Sequence, residues 1–245
     1  QVPLSRSYVN SHVSRVKTMF KWGVSEELVS ESVWNALLTV PELKRGKSKA
    51  RDALKKQPVP AEHIDPVLPF MHEPTRQMVE LHRLTGVRSR SLCLAKPEQF
   101  DTRVTPWLWR PRHKTEHLDR ELIVPLGPRA RKLLKPILRL RKPGEYLFRP
   151  RDVRKDHRYR EHYDAGSYRL AVIRAIARYN RARKKGQPEI PDWHPHRLRH
   201  TVGTLVHDGY GYEAAQAILG HDTDITKLYT ARRLSLASKI AAEIG

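Results

Sequence analysis

Apolar residues recur every three or four positions over most of this chain, which is the spacing of helices that bury one face. Near the beginning they follow a helical period, at Val9, Val13, Val16 and Phe20. Helices are predicted at about 5–24, 30–38, 61–70, 74–84, 128–140, 165–183, 196–208, 212–219, 224–230 and 234–243. Two shorter runs, at 104–110 and 122–125, are typical of strands. The pattern indicates a mostly α fold with a small antiparallel β-sheet, in the α+β class.

The charge of the chain predicts the class of its partner. There are 47 Lys and Arg residues against 26 Asp and Glu residues, which gives a formal net charge of +21. Such an excess attracts polyanions, and each phosphate that it neutralises releases a condensed counterion. Double-stranded DNA or structured RNA is therefore the predicted partner.

Cysteine usage and hydropathy exclude several other classes of protein. Cys93 is the single cysteine, so the chain has no internal disulfide and no cysteine-based zinc site, and a reducing compartment is expected. No apolar stretch approaches the roughly 20 residues that span a bilayer. The first residues lack the pattern of a signal peptide. No membrane association is predicted.

Residues 41–58 interrupt the apolar period and indicate a change of domain. This basic segment is predicted to be either a solvated linker or a linker that also follows nucleic-acid phosphates. Residues 1–45 are predicted to form part of a helical DNA-binding domain, 46–60 a basic interdomain linker, and 61–245 the main domain. The charged, aperiodic stretch 149–160 is predicted to be an exposed loop. Candidate DNA-binding residues of the basic segment are Lys44, Arg45, Lys47, Lys49 and Arg51.

The segment from His194 to Thr201 is the most informative for chemistry. Pro195 is predicted at the first position of a helix, so that His196 and Arg199 share one face near its N-terminus. Unpaired N–H groups and the positive end of the helix dipole favour a phosphate there. The three histidines of this segment also suggest a metal site, but no cysteine or carboxylate lies at a suitable spacing. Three apolar residues are predicted to hold the helix to the core: Leu198, Val202 and Leu205.

A second signal comes from the segment Ala214–His221 and from Tyr229. A short apolar helix is predicted to end at Gly220, which presents His221 just beyond the cap. Tyr229 follows eight residues later. Taken alone, a tyrosine is more typical of a half-buried aromatic residue than of a nucleophile.

In combination, these segments resemble the tyrosine recombinases, also called the phage-integrase family. The family has a His-x-x-Arg motif, then Leu-Gly-His, then a nucleophilic tyrosine, which match His196–Arg199, Leu219–His221 and Tyr229. Its Thr-Gly-x-Arg turn matches Thr85–Arg88, and its hairpin lysine, ahead of a strand ending in Val-Pro, matches Lys114. The similarity covers about residues 60–245. It is weaker in the first 40 residues, which resemble only part of the family's core-binding domain.

Two positions depart from the family pattern. Family members commonly have Glu or Asp three residues after the first arginine, where this chain has Ser91. The interval from His221 to Tyr229 is one residue shorter than in the family. Because one residue turns a helix by about 100°, the segment between them must absorb that rotation.

The resemblance implies a tyrosine recombinase catalytic domain, a site-specific recombinase or integrase. It would cleave and rejoin DNA through a 3′-phosphotyrosine, without metal, ATP or any other cofactor. Arg88 and Arg199 would bind the phosphate and Tyr229 would attack it. His196 would act as the base, and His221 would hydrogen-bond to the phosphate. Lys114 would be the acid that protonates the leaving 5′-hydroxyl.

The implied partners are double-stranded DNA and further copies of the chain. A tetrameric synapse is expected on DNA and a monomer in solution, in a cytoplasmic, nucleoid-associated protein. The apolar tail is predicted either to pack in cis or to dock on a neighbouring protomer, through Leu234, Leu236, Ile240 and Ile244.

Other functions remain open at this point. A catalytically impaired, strongly basic DNA-binding protein of the same fold would bind without a covalent product. A type IB topoisomerase or telomere resolvase would use similar groups. An RNA-binding protein would explain the charge but not the ordered motifs.

Overall fold

The computed structural model describes residues 3–52, 57–112, 122–154, 160–220 and 230–244, without the side chains of 154 and 230–234. The chain divides into two compact units, Gln1–Lys55 and Lys56–Gly245. Helices dominate both units, and a small antiparallel sheet lies in the second. The predicted α+β class is confirmed.

The first unit contains helices α1 (Arg6–Ser25) and α2 (Glu31–Leu38). The segment after α2 returns along α1, where the Asn10 side chain forms two hydrogen bonds with the backbone of Leu43 (2.9 and 3.1 Å). Arg6 forms an ion pair with Asp52 at 2.6 Å. The five candidate DNA-binding residues on this segment are all exposed: Lys44, Arg45, Lys47, Lys49 and Arg51.

The second unit begins with α3 (Ala61–Ile64) and a 3₁₀ turn over Asp65–Phe70. The continuous helix predicted at 61–70 is wrong, because Pro66 and Pro69 cannot donate the backbone hydrogen bonds of an α-helix. Helix α4 (Glu73–Thr85) follows. The next helix, α5 (Ser89–Cys93), was not predicted because five residues are too short to show a period.

Within the described residues, three short strands form the antiparallel sheet, in the order β1 (Phe100–Asp101), β2 (Trp107–Trp109) and β3 (Val124–Leu126). Trp109 is fully buried opposite both Phe100 and Val124, and its ring stacks on Phe100 with centroids 5.1 Å apart. Strand β2 is shorter than predicted, and β1 was not predicted.

Helices form the rest of the second unit: α6 (Pro128–Leu140), α7 (Arg151–Arg154), α8 (Ala165–Ala182), α9 (His196–Tyr210), α10 (Tyr212–Leu219) and α11 (Thr230–Ile244). Helix α7 corrects the loop prediction at residues 151–154, and residues 155–159 of the predicted loop lie outside the described part of the chain. Arg149 forms ion pairs with Glu145 and Asp152, which stabilise this charged segment. Most of the helix predicted at 224–230 lies outside the described residues.

Two apolar clusters make up the core of the second unit. The larger one includes Met78, Trp109 and Leu134, and the smaller one joins α9, α10 and α11. Leu205 was predicted to face this core but is 65% exposed, whereas Val206 is buried. Val202 and Val206 are four residues apart and share the buried face of α9.

The C-terminal helix packs in cis. Ala237, Ile240 and Ala241 are buried, and Ile240 lies in the cluster that contains Val202 and Ile218. The described part of the chain contains no helix long and apolar enough to cross a membrane.

Candidate active site

The turn between α4 and α5 lies tightly against α9 and α10. Gly86 ends α4 in the left-handed conformation, with φ of 60°, as its sequence context predicts. A Cβ atom at this position would lie 2.9 Å from Val202 Cγ1 and 3.0 Å from Leu219 Cδ2. Arg88 follows in extended backbone at the N-cap of α5, and its side chain is half-buried.

Arg199 connects this turn to α10. The side chain is only 5% exposed. Its Nη1 donates to the Gly86 carbonyl at 2.8 Å and its Nη2 to the Leu219 carbonyl at 2.7 Å. A guanidinium has five N–H donors, so these two bonds orient the group and leave others for a phosphate.

The environment of Arg199 favours an anion. Burial, and after it the charge of Arg88, lower the pKa of Arg199 from 12.5 to about 10. The group still carries its charge at neutral pH. Among the described residues, this guanidinium hydrogen-bonds to main-chain carbonyls and not to carboxylates. Two neighbouring cations repel each other, and a bound phosphate would relieve that repulsion.

His196 is the first residue of α9 and is exposed. Pro195 occupies the N-cap and not the first helical position, one residue from the prediction. The rings of His196 and His200 meet edge to face, with centroids 5.4 Å apart. His196 and Arg199 both act electrostatically on His82. The fold therefore brings Arg88, His196 and Arg199 to one region.

The other predicted site residues, Lys114, His221 and Tyr229, lie outside the described residues. Leu219, which the structure describes, precedes His221 by two positions and is bonded to Arg199. Among the described residues, no three His, Cys, Asp or Glu side chains come together in a group that could hold a metal ion.

Ser91 has a structural partner that its sequence position did not reveal. It is buried, and its Oγ donates to the carbonyl of Arg112 at 2.9 Å. Arg112 comes two residues before Lys114 in the sequence. Ser91 therefore fixes the chain just ahead of the segment that carries the candidate lysine, and it forms no hydrogen bond with Arg199.

His82 is a residue of this region that the sequence analysis missed. It is fully buried on α4, and neither ring nitrogen forms a hydrogen bond of good geometry with any described residue. Its ring lies 6.2 Å from that of Tyr168, whose buried hydroxyl also has no hydrogen-bond partner in the described part of the chain. The sequence did contain a sign of this residue. His82 comes four residues after Met78, on the buried face of α4, where the helical period of apolar residues predicts an apolar side chain.

The pKa of His82 is lowered from 6.5 to about 3. Burial is the main cause, the nearby backbone of Val87 opposes it, and the charges of His196 and Arg199 add to it. The imidazole is therefore neutral at physiological pH. In the unfolded chain it takes up a proton as the pH falls below 6.5, while in the folded chain it does so only near pH 3.

Replacing His82 by leucine should reduce the loss of stability in acid. The contribution of this imidazole to the free energy of unfolding is fully present above pH 6.5. It is lost as the pH falls towards 3, because the unfolded state binds the proton first. Between pH 7 and pH 5 the wild type should lose about 2 kcal/mol more than His82→Leu, as measured by urea unfolding. His12→Leu, at an exposed histidine, is the control and should follow the wild type. Equal pH dependence in all three proteins would contradict the buried, neutral state of His82.

Comparison with known proteins identifies related sequences and folds. The phage integrase family matches residues 60–234. No sequence among curated proteins matches the chain.

Several solved structures share the fold. The Tn1549 transposon integrase in complex with circular intermediate DNA is 16% identical, with a TM-score of 0.59 over 95% of this chain and 75% of that one. A lambda integrase tetramer bound to a Holliday junction is 16% identical, with a TM-score of 0.61 over 88% of this chain and 58% of that one. The integrase from mycobacterium phage Brujita is 19% identical, with a TM-score of 0.53 over 98% of this chain and 73% of that one.

Proposed function

We propose that this chain, which belongs to the phage integrase family, cleaves and rejoins DNA strands through a covalent bond between Tyr229 and a 3′-phosphate. The family and the shared fold support a site-specific recombinase. One observation carries the chemical proposal: buried Arg199, anchored by two main-chain carbonyls, lies beside Arg88 and has no carboxylate partner among the described residues.

The two arginines would hold the non-bridging oxygens of the phosphate that is attacked. Charge builds up on these oxygens as the fifth bond to phosphorus forms, and a guanidinium fixed before the reaction stabilises it without reorganising. Arg199 is fixed by its bonds to Gly86 and Leu219. Its planar fork can bind two oxygens at once, which a lysine cannot do.

Proton transfer would accompany the exchange of bonds. The Tyr229 oxygen attacks phosphorus and loses its proton to His196, while the bond from phosphorus to the 5′-oxygen breaks. Lys114 donates a proton to the leaving 5′-oxygen, and His221 donates a hydrogen bond to the phosphate. The phosphotyrosine retains the energy of the broken phosphodiester, so attack by another 5′-hydroxyl rejoins DNA without ATP.

The assembly would be a tetramer on two DNA duplexes, and the lambda integrase that shares the fold is a tetramer bound to a Holliday junction. Helix α11 packs in cis in the structure, so docking of this helix on a neighbouring protomer would first require its release. The exposed basic residues between Lys44 and Arg51 are proposed to contact phosphates of the DNA backbone.

A covalent adduct is the direct test. Incubation of the chain with a nicked suicide duplex of its recombination site should give a product that survives denaturation. Digestion and mass spectrometry should then locate the nucleotide on the peptide that contains Tyr229. A nucleotide on another residue would contradict the assignment of the nucleophile. Tight, salt-sensitive binding to this duplex without any adduct would favour the impaired DNA-binding alternative.

A further inference from the structure

The exposed side of α6 carries four basic side chains and no acidic one. We call this surface the basic stripe, and it consists of Arg129, Lys132, Lys135 and Arg139. Residues three and four apart lie on one side of a helix. The first and last members are ten residues apart, so the stripe is about 15 Å long at the rise of an α-helix.

The charges of the basic stripe are not neutralised within the described part of the chain. No ion pair or side-chain hydrogen bond there involves Lys132, Lys135 or Arg139. Arg129 donates only to the main-chain carbonyl of Ile244, at 3.4 Å. All four cations are therefore available to an external anion.

This arrangement weakens the helix that carries it. Like charges three or four residues apart, such as Lys135 with Lys132 or Arg139, repel each other and destabilise the helix. The first turn of α6 contains no acidic residue and includes Arg129, where a cation opposes the helix dipole. An external polyanion would remove both penalties.

The other properties of α6 identify the polyanion. Its apolar side is buried through Ala130, Leu134 and Ile137, and of its large apolar side chains only Leu140, at the last position, is exposed, so little of it remains to insert into a membrane. The helix contains no aromatic residue on which an unpaired base would stack. Unpaired cations in a row, without stacking groups, are suited to the phosphates of a duplex, which carries about one charge per 1.7 Å of its axis.

The basic stripe is separate from the candidate active site. Arg129 donates a hydrogen bond to Ile244 at the C-terminal end of α11. The N-terminal end of this helix is Thr230, which follows the candidate nucleophile Tyr229 in the sequence. The length of α11 places these two ends about 20 Å apart. The charged residue that lowers the pKa of Arg199 is Arg88, and no residue of α6 contributes.

We propose that the basic stripe of α6 is a second contact surface for the backbone of duplex DNA, apart from the cleavage site. The contact is independent of sequence, because phosphates carry no base identity. It rests on the proposed function only in taking DNA as the polyanion.

The triple variant Lys132→Gln, Lys135→Gln, Arg139→Gln tests this surface. The matched control is Arg181→Gln, Lys184→Gln, Lys185→Gln, which removes the same charge from three exposed residues at the end of α8 and just beyond it. Binding to a 40-base-pair duplex of random sequence is measured over a range of salt concentrations. The slope of log K against log salt concentration is negative. Its magnitude should decrease by roughly 2.7 in the α6 variant, at about 0.9 for each of three lost contacts, and by less than about 1 in the control.

Other outcomes would overturn the proposal. An unchanged slope in the α6 variant, or equal losses in both variants at unchanged melting temperature, would show that α6 is no specific surface. Loss of binding to vesicles with 30% phosphatidylserine, with the DNA slope retained, would identify a membrane surface instead. The adduct on Tyr229 should persist in the α6 variant at saturating DNA. Because the slope does not depend on the adduct, failure of the cleavage chemistry and failure of this surface are distinguishable.

Discussion

Replacing Arg199 with alanine is expected to reduce the rate of adduct formation by about 10³- to 10⁵-fold, the range in which transition-state arginines act in phosphoryl transfer. The guanidinium is the buried cation of the candidate site, and its two bonds to main-chain carbonyls fix its direction before DNA binds. Binding of DNA should change much less, because the chain has many other cations that could contact phosphates. Single-turnover cleavage of a suicide duplex measures the first quantity and a filter-binding titration the second.

Arg197 provides the matched control on the same helix. Its guanidinium donates to the Gln57 and Pro58 carbonyls at 2.8 and 3.2 Å, so it holds the beginning of the second unit to α9. Arg197→Ala should lower the melting temperature but retain adduct formation at permissive temperature. Arg199→Lys should be nearly as inactive as Arg199→Ala, because an ammonium cannot bond both carbonyls and also bind two phosphate oxygens. Near wild-type cleavage by Arg199→Ala would remove this residue from the mechanism.

Replacing Gly86 with alanine is expected to lower the free energy of unfolding by about 3 kcal/mol. Part of this loss is the cost of a side chain at φ of 60°, and part is the overlap of the new Cβ with Val202 and Leu219. The melting temperature should fall by about 10 °C at this size of domain. The backbone of the turn must also move to relieve the overlap, and this movement displaces the Gly86 carbonyl that anchors Arg199. Cleavage should therefore decrease even at temperatures where the variant is folded.

Gly144 separates the two contributions. It has φ of 84°, but a Cβ there would meet no atom within 4 Å. Gly144→Ala should therefore cost only about 1 kcal/mol, the conformational part alone. Equal melting temperatures for the two variants would show that close packing of the turn against α9 and α10 adds nothing.

Local features were predictable because they depend on residues that are close in the sequence. The apolar period placed most of the longer helices, and the left-handed end of α4 followed from Gly86 in its context. Elements of two to five residues, such as β1 and α5, were missed because so few positions show no period. Residues 151–154 were predicted to lie in a loop, because hydropathy does not record the ion pairs that Arg149 forms with Glu145 and Asp152.

The amino-acid sequence by itself determined the helical class, the excess of positive charge and the order of the family motifs. Only the tertiary structure decided how Arg199 is held, since its carbonyl partners lie 113 and 20 positions away in the chain. It also decided that His82 is buried and neutral, that Ser91 bonds to Arg112, and that α11 packs in cis. The physical reason is that burial, electrostatic neighbours and main-chain partners arise from packing between distant segments, and a local pattern contains no record of which segments meet.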